Sequence, residues 1–121
     1  MIKAYSTMPW PRFSFSGTIF VERKARQREA LRRAPFDRVL LETDSPDMLP
    51  PSPYCPITWP GEDGQPYNEP ANLAAIYPGV ARLLGITEET LSRQLWENAR
   101  RFLGSLLSPA LASTGCRLPS P

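Results

Sequence analysis

The chain has 121 residues with a formal net charge of +2, and 41% of its residues are hydrophobic against 21% charged. That length and balance suit one small water-exposed domain and are too weakly basic to argue for nucleic acid on charge alone. Histidine is absent altogether, so this chain cannot itself supply the imidazole of a Ser-His-Asp hydrolase, a zincin or a His-based zinc site.

Residues 1–11 read as a short leader without periodicity and without the apolar segment of a secretory signal. No apolar run approaches the roughly 20 residues needed to cross a bilayer. Cys55 and Cys116 lie far apart with no CxxC spacing, which favours free thiols in a reducing compartment. These features together place the expected location in the cytoplasm.

Residues 12–20 open with strict alternation. Phe13 and Phe15 fall on one face and Ser14 and Ser16 on the other, with Gly17 marking the end, so the stretch reads as a strand. Residues 22–34 favour a helix, with Glu22–Arg26 and Glu29–Arg33 spaced for ion pairs, a thin inner stripe of Gln27, Ala30, Leu31 and Ala34, and a stop at Pro35. The basic character of this helix fits a solvated face laced with ion pairs better than a nucleic-acid surface.

Val39 to Asp44 read as a buried, parallel strand that begins apolar and ends acidic, completing a strand–helix–strand unit. Alternation puts Leu40, Glu42 and Asp44 on one face, with Asp44 at the C-terminal end. In α/β folds that edge is where ligand and catalytic groups gather. An Asp there can equally cap a loop, and spacing alone leaves both readings open. Two acids on a buried face would need pairing or a metal.

Residues 45–67 are expected to form a long proline-rich loop. A helix then starts at Pro70 with the stripe Leu73, Ile76, Tyr77, Val80 and Leu84, broken or kinked at Pro78-Gly79 and ended by Gly85. Thr87 is placed to cap a second helix, with Ile86 and Leu91 set for a hydrophobic staple. Its stripe is Leu91, Leu95, Ala99, Phe102 and Leu106, with Gly104 as a candidate stop. Residues 105–121 are expected to be disordered.

Four segments then fall in one order: Phe13-Ser14-Phe15-Ser16-Gly17, Leu40-Leu41-Glu42-Thr43-Asp44-Ser45-Pro46, Asn68-Glu69-Pro70, and Glu97-Asn98-Ala99-Arg100-Arg101-Phe102-Leu103-Gly104. Together they resemble the C-terminal third of the TatD family of metal-dependent deoxyribonucleases over residues 12–104. The resemblance implies an α/β fold: the last two strands and C-terminal helices of a (β/α)₈ TIM barrel of amidohydrolase type. It implies phosphodiester hydrolysis on DNA with a divalent metal (Mg, Mn or Zn) that lowers the pKa of bound water. Asp44 matches the family aspartate that ligates metal and orients or deprotonates the attacking water, which makes it the catalytic and metal residue. Glu42, Asn68 and Glu69 are supporting residues, holding neighbours, capping the helix or bracing the loop of Asp44.

The family's His-x-His pair, bridging glutamate and later histidines have no counterpart in this chain, and a whole barrel needs roughly 250 residues. A shortened product, an alternative start or a separated gene fragment would each account for that. The expectation is therefore a part-barrel that does not hold the metal alone and is inactive by itself. The alternative is a non-catalytic fragment that self-associates or joins a partner chain through an uncovered barrel edge.

Overall fold

The computed structural model describes residues 11–104. The expected leader lies outside these residues but for Pro11, and the expected tail at 105–121 lies outside them entirely. Strand β1 (Phe13–Ser16) pairs in parallel with strand β2 (Val39–Glu42), in the register Phe13↔Val39 to Ser16↔Glu42. Between them run two 3₁₀ turns, Gly17–Phe20 and Glu22–Lys24, and helix α1 (Ala25–Arg33). The strand–helix–strand unit is present, but β1 stops at Ser16 and does not reach residue 20. From Gly17 the backbone turns in towards other elements, and an added Cβ there would lie 2.6 Å from Pro50 Cγ and 2.7 Å from Ile76 Cδ1. Only glycine permits that approach.

The basic helix is tied down largely by its own side chains. Arg28 Nη1 donates to Ile19 O at 2.6 Å and to Val21 O at 2.8 Å, and Nη2 donates to Glu22 O at 2.9 Å, satisfying carbonyls of the turn that leads into α1. Glu29 pairs with Arg33 at 2.8 Å and with Arg32 at 3.8 Å. The predicted Glu22–Arg26 pair does not form, because Glu22 lies in the 3₁₀ turn and the i,i+4 geometry begins only at Ala25.

The segment expected to be one long loop contains a hairpin, β3 (Thr58–Pro60) with β4 (Pro66–Asn68), antiparallel with Trp59 opposite Tyr67. Prolines at Pro60 and Pro66 hid it, since proline argues against a strand except at an edge. A 3₁₀ turn (Pro70–Asn72) leads into helix α2 (Leu73–Leu84). Of the expected kink or break, the break is absent: α2 continues as one helix through Pro78. Proline removes the bond to the carbonyl of Ala74, and Ala74 is solvent-exposed, so water can satisfy that oxygen. Gly79 serves packing instead: the rings of Phe20 and Tyr54 stack with centroids 3.7 Å apart, and a Cβ on Gly79 would lie 2.4 Å from Tyr54 and 2.6 Å from Phe20.

Helix α2 ends at Gly85, where the chain reverses with Ile86 N–H bonding Ala81 O at 3.1 Å, a C-terminal capping pattern. Helix α3 (Glu88–Leu103) follows, with Thr87 Oγ1 accepting from Thr90 N–H at 3.1 Å as its N-cap. Its inner face is Leu91, Leu95 and Asn98, whereas Phe102 of the predicted stripe is 60% exposed; Leu106 lies outside the described residues. The stripe was drawn through apolar residues, but the position that meets β2 is polar. Asn98 Nδ2 donates to Phe36 O and Val39 O, both at 2.8 Å, and its Oδ1 accepts from Gln94 Nε2 at 2.8 Å. These bonds satisfy main-chain carbonyls at the entry to β2.

The core is Ile19, Leu31, Val39, Ile76, Val80, Ala81, Leu91 and Leu95, joined by half-buried Phe15 and Leu41. One face of the β1–β2 pair, Phe15, Val39 and Leu41, is therefore covered by helices. The other, carrying Ser14, Ser16, Leu40 and Glu42, is polar at the C-terminal ends of both strands. No helix of the described residues is long and apolar enough to cross a membrane.

Candidate functional site

The polar face of the strand pair opens into a cleft of about 250 Å³ lined by Ser14, Phe15, Ser16, Thr18, Ile19, Lys24, Gln27, Glu42, Asp44 and Met48. It sits at the C-terminal ends of two parallel strands, the edge where α/β proteins assemble their ligand sites. Glu42 is the last residue of β2 and is exposed rather than buried, so the expected deep acid does not exist. Asp44 is not on the strand either. It lies two residues beyond Glu42, in the left-handed region at φ 57°, and half-buried. Alternation along a strand therefore does not determine where its carboxylate goes; the turn does.

That turn is heavily constrained. Asp47 N–H bonds Asp44 O at 3.0 Å, and Asn68 N–H bonds Pro46 O at 2.7 Å. Ser45 Oγ donates to Asn68 O at 2.8 Å. The Asn68 side chain, 2% exposed, spans the turn: Nδ2 donates to Thr43 O at 2.7 Å and to Asp47 O at 3.1 Å. A non-glycine residue at positive φ is costly by about 1–3 kcal/mol unless its surroundings over-determine it, although Asp tolerates that region better than most. The bonds from Asn68 and Ser45 are such surroundings.

Asn68 in turn is held by a polar cluster that sequence reasoning missed. Its Oδ1 accepts from Glu69 N–H at 2.8 Å and from Asn72 Nδ2 at 2.9 Å. Asn72 is fully buried; its Nδ2 also donates to Ile57 O at 2.7 Å, and its Oδ1 accepts from Ile57 N–H at 3.0 Å. The hairpin is thereby fastened to the turn that carries Asp44. Asn72 lies four residues after Asn68, a helical spacing that offered a signal, but it stood inside what read as the start of an apolar helix. Glu69 contributes its backbone N–H; its side chain makes no cap to the turn that follows. Cys55 carries a free thiol beside the cluster, receiving Asn72 Nδ2 at 3.3 Å, and burial pushes its pKa up. Cys116 is outside the described residues.

Among the described residues no three His, Cys, Asp or Glu side chains come together as a metal site. A structural cation needs several donors at once, and hard divalent ions commonly take about six. Asp44 and Glu42 in the cleft fall short of that, so the residues present do not fit a complete metal centre.

A parallel strand–helix–strand unit with a constrained acid beyond a strand end defines an α/β protein built around a site at the strand termini. The family model described as TatD related DNase matches residues 10–104. The chain belongs to the TatD-related DNase family. It is 36% identical over 83 residues to an uncharacterized metal-dependent hydrolase of Haemophilus influenzae, covering 69% of this chain and 28% of that protein. It is 33% identical over 89 residues to the uncharacterized metal-dependent hydrolase YcfH of Escherichia coli K12, covering 74% and 30%. Among solved structures it resembles YjjV, a TatD homologue from Escherichia coli K12, with a TM-score of 0.58 and 22% identity over 75% of this chain and 31% of that one. The last likeness speaks to fold alone. The chain thus spans about three tenths of the length of these relatives.

Proposed function

We propose that these residues form the seventh and eighth strands and the closing helices of a TatD-type (β/α)₈ barrel that hydrolyses DNA phosphodiesters. The observation that carries the reading is Asp44: an acid at positive φ, just beyond the C-terminal end of a parallel strand, held there by Asn68 and facing a polar cleft. In this reading the helix-covered face of β1–β2 is the barrel's outside and the Ser14–Ser16–Glu42 face its interior. Asp44 contributes one carboxylate to a divalent-metal site whose other donors come from outside the residues described. Glu42 lines the same interior, and Asn68 and Glu69 brace the turn that presents Asp44. Because the chain contains no histidine, the 121 residues alone are inactive as a nuclease.

A second reading is that the chain is a non-catalytic subunit completing a barrel with another polypeptide in the cytoplasm. It is favoured by large apolar side chains left uncovered on α3, where Trp96 is 47%, Phe102 60% and Leu103 37% exposed; such patches mark association surfaces.

The test is a nuclease assay on single-stranded DNA with Mg²⁺ or Mn²⁺. The chain alone should give no cleavage above buffer. Residues 12–104 grafted in place of the matching segment of the Haemophilus relative should support cleavage that Asp44→Ala abolishes. Cleavage by the chain alone, or a graft indifferent to Asp44→Ala, would overturn the proposal.

A further inference from the structure

Among the described residues Lys24 is the one cationic side chain lining the cleft that holds Asp44 and Glu42. It forms no ion pair with either acid among the described residues. Its Nζ instead donates at 3.2 Å to Thr18 Oγ1, and Thr18 Oγ1 lies 2.9 Å from Ser16 Oγ. Both hydroxyl residues are 7% exposed, and they flank Gly17, whose backbone packs closely against Pro50 and Ile76. The ammonium is therefore attached to a buried hydroxyl pair at the cleft wall. An ammonium has three N–H donors, and one meets Thr18. The other basic side chain that turns inward nearby, Arg28, spends three of its five N–H donors on the carbonyls of Ile19, Val21 and Glu22. A lysine that ignores two carboxylates in its own cleft, yet is oriented by a hydroxyl pair, has donors available for an acceptor that enters the cleft.

We propose that Lys24, positioned by Thr18 and Ser16, binds a non-bridging oxygen of a substrate phosphate in the cleft beside Asp44. The identity of the ligand rests on the phosphodiester reading above; the anion site itself does not. A strongly hydrated point charge on a flexible stem suits a phosphate that arrives in more than one orientation, and charge-assisted bonds to phosphate are the stronger class of hydrogen bond. Ser16 and Thr18 are then positioning residues, and Lys24 is the residue that touches substrate.

The test uses the full metal-free chain with EDTA present throughout, so that phosphate held by a metal contributes nothing. Amide NMR spectra are titrated at low ionic strength with inorganic phosphate, thymidine 5′-monophosphate and thymidine. Phosphate and the nucleotide should shift the amides around Thr18 and Lys24 saturably, and thymidine should not. Lys24→Gln should weaken phosphate binding at least tenfold, Lys24→Arg should keep it within a few-fold, and Thr18→Val should weaken it several-fold while leaving the spectrum folded. Unaltered affinity in Lys24→Gln, or equal shifts with thymidine, would overturn the proposal. Phosphate binding of this pattern in a chain whose graft never cleaves DNA would remove the nuclease reading and leave the anion site standing.

Discussion

Replacing Asn68 by Asp changes one atom of the side chain and tests whether the turn of Asp44 is built by that residue. The amide nitrogen donates to Thr43 O at 2.7 Å and Asp47 O at 3.1 Å. In Asn68→Asp an oxygen faces those two carbonyls, while the oxygen that serves Glu69 N–H and Asn72 is retained. Two lost bonds at about 1 kcal/mol each, with the desolvation cost of buried groups left unmatched, give about 3–5 kcal/mol. That is a large share of the roughly 5–15 kcal/mol that holds a domain folded. With a urea dependence of about 1.5 kcal/mol per molar, the unfolding midpoint followed by circular dichroism should fall by about 2–3 M. The new carboxyl should have a folded pKa above its unfolded value of about 3.9, because only its protonated form can donate. The deficit should therefore be largest at neutral pH and shrink as pH falls through the folded pKa. Locally, exchange of the Asp47 amide, bonded to Asp44 O, should accelerate more than that of amides in α3. A variant within about 0.5 kcal/mol of the parent, with Asp47 exchange unchanged, would refute the view that Asn68 holds this turn.

Two further outcomes follow from the packing. Asn98→Leu keeps the volume but leaves Phe36 O and Val39 O without the donor that each has at 2.8 Å; it should lower the melting temperature by about 10 °C or more, and a melt within a few degrees of the parent would show that those carbonyls find water instead. In a Cys116→Ser background, the rate of Cys55 alkylation should rise with pH to a midpoint above the thiol's ordinary value of 9.0, since burial disfavours the thiolate; a midpoint at or below that of the unfolded chain would contradict the burial argument.

The sequence by itself carried what local chemistry controls. Alternation at Phe13–Ser16, the helical stripe through Ile76 and Val80 and the Thr87 cap were legible because each depends on residues near one another in the chain, and the parallel strand pair was legible from the helical crossover between its two strands. The ordered motifs around Asp44 carried the family. Tertiary structure decided the rest, for reasons of distance and burial. Asn98 and Asn72 had no place in the apolar stripes, and their roles come from the carbonyls of Phe36, Val39 and Ile57 that they satisfy. The hairpin at Thr58–Asn68 was masked by prolines, and Pro78 was tolerated because its orphaned acceptor lies at the surface. Asp44 itself shows the division: its type and place in the motif were written in the sequence, but the position of its carboxylate depends on a left-handed turn clamped by a residue far along the chain. No periodicity encodes a contact of that kind, because its energy exists only once both segments are folded against each other.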